Sequence, residues 1–135
     1  MQMKTHDPDA IFAPVGPYTH GLEVVEARRL LFVTGTMGLD KNGKAPNGIE
    51  AQCALAWRNI GAILEHAGMS MRNVVKVTCY LADRKYREAN MHARAAALGD
   101  HRVATTAIAP ALLEDGWWRS RRSPRRSAYF DATGC

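Results

Sequence analysis

Serine is almost missing from most of this chain of 135 residues: Ser70 is the only one before residue 120. With no Gly-x-Ser-x-Gly segment either, a serine nucleophile has almost no candidate. The cysteines, Cys53, Cys79 and Cys135, are odd in number, scattered and without a Cys-x-x-Cys pair. That pattern excludes a disulfide framework and points to free thiols in a reducing compartment, so a cytoplasmic protein is expected. No apolar run approaches membrane length, and the start, MQMKTHDPDA, has no apolar export segment. The five histidines make no pair at helical spacing beside an acid, and no phosphate loop or dinucleotide fingerprint is present. No metal site and no cofactor are therefore expected. Nor does the net charge of +5 mark a nucleic-acid binder, because residues 117–135 hold five Arg against one Asp and leave the rest at +1.

What the chain does have is a long amphipathic stretch, from Asn47 to Gly68. At ~100° per residue, Ile49, Cys53, Ala56, Trp57, Ile60, Ile63, Leu64 and Ala67 form one apolar stripe and Ala51, Arg58 and Glu65 lie opposite. Asn47 and Glu50 have capping-box spacing, and Gly68 supplies a left-handed end. Gln52 and Asn59, at the margin of the stripe, are placed to bond a neighbouring strand or a ligand at its edge.

Residues 1–10 read as polar and loose. Leu22 to Val25 and Leu30 to Thr34 then read as a two-stranded hairpin ending at Gly35, where backbone can approach something closely. Asp40 to Gly43 is a turn. Val74 to Leu81 alternates as a half-buried strand. Asp83 caps a second helix, about Arg84 to Leu98, with Tyr86, Ala89, Asn90, Ala93 and Ala97 on one side and Gly99 at its end. Val103 to Ala109 is a further strand closed by Pro110, and Glu114-Asp115-Gly116 is a turn that ought to launch a last one. Instead comes Trp117-Trp118-Arg119-Ser120-Arg121-Arg122-Ser123-Pro124, which is not strand chemistry. The order implies one α+β domain over residues 1–116, its core from about 13, with two helices on one face of a mixed sheet. An aberrant basic tail, 117–135, follows it.

Several motifs together resemble the RidA/YjgF family, also called L-PSP endoribonuclease-like proteins. Ala13-Pro14 with Gly16-Pro17-Tyr18-Thr19-His20 is similar to the family's opening signature, and Val33-Thr34-Gly35-Thr36 to its Val-Ser-Gly-Gln strand end. Gln52 and Asn59 match its first helix; Val74 to Thr78 and Asn90 match its next strand and helix. The resemblance implies a chorismate-mutase-like α+β fold, a trimeric barrel-like assembly, and small-molecule clefts between subunits. It also implies hydrolytic deamination of reactive enamines and imines to 2-keto acids and ammonia; no cofactor and no membrane partner are expected, and a small-molecule ligand is favoured over nucleic acid. The catalytic positions carried over are Tyr18, Asn90 and Thr105, and the ligand-binding ones Thr34, Gly35, Thr36 and Gln52.

Two departures weaken that activity. Thr105 stands where the family has its carboxylate-binding arginine, and a hydroxyl cannot replace a guanidinium fork; Arg102 is out of register. The family's last strand, much like Val-Glu-Ile-Glu-Ala-Val-Ala with a water-directing Glu, is absent. Its place is taken by five Arg and three Ser between residues 119 and 127, and we read this tail as a frameshifted version of that strand, which would cost the sheet an element and leave the tail mobile. Deamination is therefore expected to be weak or altered, the alternatives being a non-enzymatic small-ligand binder or an RNA-directed protein.

Overall fold

Alternation and helical periodicity account for most of the elements found. The computed structural model describes residues 1–109 and, as backbone, 129–134. In chain order it has strands β1 (Gln2–His6), β2 (Gly21–Val25) and β3 (Leu31–Met37), helix α1 (Ile49–His66), strand β4 (Val74–Tyr80), helix α2 (Arg87–Leu98), and strands β5 (Ala104–Ile108) and β6 (Tyr129–Gly134). The four-stranded sheet runs β3-β6-β4-β5. β6 is antiparallel to both neighbours and β4 is parallel to β5. This is the expected α+β fold with a mixed sheet.

The core lies between the sheet and α1. Cys53, Ala56, Trp57, Ile60 and Leu64 of α1 meet Val33, Val74, Val77 and Cys79 of the sheet, with Leu98 and Val103 closing the α2 side. Each fully buried aliphatic side chain here contributes about 1.5–3 kcal/mol, so the periodic stripe is what seats the helix. Ile63, expected on that stripe, is instead 37% exposed. The α1 stripe ends as expected, with Gly68 at φ +70. Its start differs: the cap is Gly48 at φ 86, with no side-chain cap bond, because the chain enters in a conformation that only Gly adopts easily. Asn47 does not cap it.

Residues 1–10 are not loose, and the expected hairpin is not the one that forms. β2 pairs with β1, from Gln2↔Val25 to His6↔Gly21, whereas β3 pairs with β6. The β1 sequence has no apolar alternation to betray it; backbone pairing and the 2.8 Å His6–Glu23 contact hold it instead.

Nor does the sheet lack an element. β6 lies between β3 and β4, with Ala132 opposite Val77 and Phe130 opposite Cys79. The closure at Pro110, the turn at Glu114 to Gly116 and the Arg/Ser segment at 117–128 lie outside the described residues.

Candidate functional site

The second helix carries the centre of the site. Asp83 accepts from the Lys85 amide at 3.0 Å and opens a short 3₁₀ turn that runs into α2. Counting fours from that turn, Tyr86, Asn90, Arg94 and Leu98 are the buried positions. Two of these are polar. Asn90 is 1% exposed, and its Oδ1 has no hydrogen-bond partner among the described residues. Arg94 is 7% exposed; its Nη1 donates to Thr105 Oγ1 at 3.0 Å while its Nε has no partner among the described residues.

Parallel pairing sets Thr105 beside Val77 on the helix-facing side of the sheet, which is why α2 can reach it. The structure thus brings Asn90 and Thr105 together around Arg94 and Cys79. Burial pushes the Cys79 thiol up to about 11, against the pull of the Arg94 guanidinium and a hydrogen bond with Asn90. Cys53 is likewise pushed up to about 11, by burial and then by Glu50. An unfolded thiol ionises near 9.0, so both groups favour the folded state fully below pH 9.0, and that contribution is lost as pH rises toward 11. Native protein at pH 8 is expected to leave Cys53 and Cys79 unlabelled by a thiol reagent, both reacting once denatured. Mass spectrometry of labelled peptides checks this, and rapid native labelling of Cys79 would show the site to be open.

The other expected residues lie apart. Tyr18 is half-buried, its hydroxyl accepting from the Val15 amide at 3.4 Å, its ring edge-on to His20. Its loop is locked by Asp7, whose carboxylate accepts from the His20 amide at 2.7 Å and from the Thr19 hydroxyl at 3.1 Å. Those bonds, the His20 amide foremost, hold the Asp7 carboxyl below its ordinary value. The Thr19 amide faces the Val103 carbonyl at 3.4 Å, so the loop sits two residues before Thr105. Thr34, Gly35 and Thr36 form the irregular part of β3, where the register with β6 shifts. With β6 and β4 between them, β3 and β5 are three strand spacings apart, roughly 14 Å.

Gln52 and Asn59 serve the scaffold. Gln52 donates to the Pro46 carbonyl, and Asn59 to the carbonyls of Met37 and Leu39. A close backbone approach is found at Gly38, where the strand end meets Gln52. Two surface depressions, of about 360 and 510 Å³, include none of the seven expected site residues. Among the described residues no group of His, Cys, Asp or Glu could hold a metal ion, and no helix is long and apolar enough to cross a membrane.

Sequence reasoning missed Arg94 and Asp7. For Arg94 the signal was present: it follows Asn90 by one turn, on the same face. Asp7 had none, because its partners come from a loop whose position only the fold decides.

Comparison with known proteins gives the same direction. The family model described as Endoribonuclease L-PSP matches residues 8–118. A RutC family protein of Aquifex aeolicus is 40% identical over 79 residues, which is 57% of this chain and 61% of that protein. The mouse protein named 2-iminobutanoate/2-iminopropanoate deaminase is 37% identical over 73 residues, 53% of this chain and 52% of its own length. The matched part thus spans between half and two thirds of these relatives. Among solved structures, the Rid-family protein YyfB of Yersinia pestis superposes over 100% of this chain and 99% of its own, with TM-score 0.76 at 22% identity. RidA of the Antarctic bacterium Psychrobacter sp. PAMC 21119 covers 97% of this chain and 98% of its own, with TM-score 0.65 at 25% identity.

Proposed function

The chain belongs to the endoribonuclease L-PSP family, the RidA/YjgF proteins, and on that premise we propose that it is a homotrimeric small-molecule protein with clefts between its subunits. Its ligands are imine or enamine forms of small carboxylic acids, and its reaction is their slow hydrolysis. The observation that carries this reading is the polar cluster of buried Asn90 and Arg94 with half-buried Thr105 on the helix-facing side of β5. Buried polar groups without partners are rare in a finished fold and concentrate where a ligand belongs.

The chemistry asked of such a cleft is modest. Water adds to the C=N carbon, the C–N bond breaks, ammonia leaves with the transferred protons, and a carbonyl remains. The protein has to hold the carboxylate, orient the water and keep competing nucleophiles away. Tyr18, Thr34, Gly35 and Thr36 are the further residues we assign to it.

Two features support placing the cleft between subunits. Thr34 to Thr36 cannot reach Thr105 within one chain across two intervening strands. Apolar side chains also stand exposed on the sheet face away from the helices: Phe32 is 75% exposed and Ile108 40% exposed. Apolar residues on such a face suit an interface with further copies of the chain. Light scattering is expected to give three times the 14.9 kDa chain mass, and a stable monomer would remove the cleft. Ligand binding without turnover is the second reading, favoured by Thr105 at the family's arginine position. Ammonia release from 2-iminobutanoate generated in situ decides between the two.

A further inference from the structure

We infer that Arg94, carried by α2, is the carboxylate-binding residue of this site, with Thr105 holding its guanidinium in place. The inference rests on the cleft reading above and names a residue and a ligand geometry for it. A guanidinium this deeply buried is normally paired with an acid. Arg94 has no carboxylate partner among the described residues, where the ion pairs are His6–Glu23, Arg72–Asp100 and Lys85–Asp83. What it has is one neutral acceptor, Thr105 Oγ1 at 3.0 Å from Nη1.

That single bond is informative because of which donor it uses. With Nη1 taken, Nε–H and Nη2–H remain as two parallel donors along one edge of the plane, a fork that matches the oxygens of a carboxylate. Nε is fully buried and has no partner among the described residues. Thr105, accepting from Arg94, keeps its own O–H to donate to a ligand oxygen.

Asn90 completes the set. It lies one helical turn before Arg94, and its Oδ1 is a buried acceptor with no partner among the described residues. A ligand with a carboxylate for the fork and an N–H for this acceptor satisfies both orphaned atoms at once, as a short 2-amino or 2-imino acid would. A 2-oxo acid satisfies the fork alone. Thr105 is then no vacancy in the site but the clip that lets an arginine from the helix do the work of one on the strand.

The test uses the full chain and two probes, 2-oxobutanoate and its uncharged amide, with affinity read by calorimetry and oligomeric state by light scattering. The acid is expected to bind and the amide to bind at least about tenfold more weakly. Arg94→Lys keeps the charge but loses the fork, and should weaken the acid about tenfold or more while leaving the amide unchanged; Thr105→Val should act in the same direction with a smaller effect. Arg94→Met should abolish discrimination between acid and amide without lowering the melting temperature, since an unpaired buried charge is removed. Equal affinity for the acid in wild type and Arg94→Lys overturns the inference, as does an Arg94→Met protein that dissociates or melts early while its folded fraction still prefers the acid. No binding of 2-oxobutanoate by the wild type overturns it too. Ammonia release is measured separately: acid binding that depends on Arg94 without turnover sinks only deamination, and turnover insensitive to Arg94 sinks only this inference.

Discussion

Alanine in place of Gly38 is expected to cost the fold about 3 kcal/mol or more, the upper range for overpacking. A Cβ there would lie 2.0 Å from the Gln52 carbonyl oxygen, 2.7 Å from its carbon and 2.9 Å from its Cα. These are backbone atoms of the first turn of α1 and cannot rotate away. The strand end cannot retreat either, because Asn59 holds the Met37 and Leu39 carbonyls on both sides of Gly38 at 3.1 and 2.9 Å. The melting temperature should fall by roughly 10 °C. Gly61→Ala is the internal control: its Cβ meets only the flexible end of Met71 at 3.4 Å, and alanine inside a helix is worth about 0.5–1 kcal/mol over glycine. If the two variants melt alike, α1 is not seated on the end of β3 in this way.

Gly38 shows where sequence reading stops. In the sequence it is one more glycine after a strand; only the docking of that strand end on a helix turn makes it indispensable. The helices were legible because their period is local: most of the α1 stripe, Gly68 and Gly99 read correctly from spacing, whereas Ile63 lies off the stripe, Gly48 and not Asn47 caps α1, and Asp83 caps the short 3₁₀ turn that precedes α2. Strand pairing was not, since β1 and β2 find each other across a 14-residue loop with no pattern in β1 to announce it. The family motifs single out Asn90 and Thr105, and the structure sets both near Arg94. Arg94 matches no family motif, although 86, 90, 94 and 98 mark one face.

Restoring the neighbouring reading frame from Trp118 onward is expected to raise ammonia release from 2-iminobutanoate by about 10²- to 10⁴-fold, the usual weight of a positioned general acid or base. The chain as it stands should be at or near background. Written as TGG AGA TCG AGG CGG TCG CCG, residues 118–124 become GTG GAG ATC GAG GCG GTC GCC once the last G of the Trp117 codon is borrowed. That reads Val-Glu-Ile-Glu-Ala-Val-Ala. Tryptophan has a single codon, so this part of the coincidence has no freedom. The family match ends at residue 118, where the frames would diverge. The strand now between β3 and β4, Tyr129–Gly134, brings one acid to the sheet, Asp131, in register with Thr78. That register row is next to the one that pairs Val77 with Thr105. If Arg94 holds the carboxylate, the missing Glu is the limiting loss, and Thr105→Arg in the present chain should restore little. If Arg94 does not, the restored frame needs Thr105→Arg as well before turnover appears. Resequencing the gene supplies the independent check: an extra or missing base before the tryptophan codons supports the frame reading. A clean open frame through Cys135, together with a restored-frame protein no more active than the present one, would refute it.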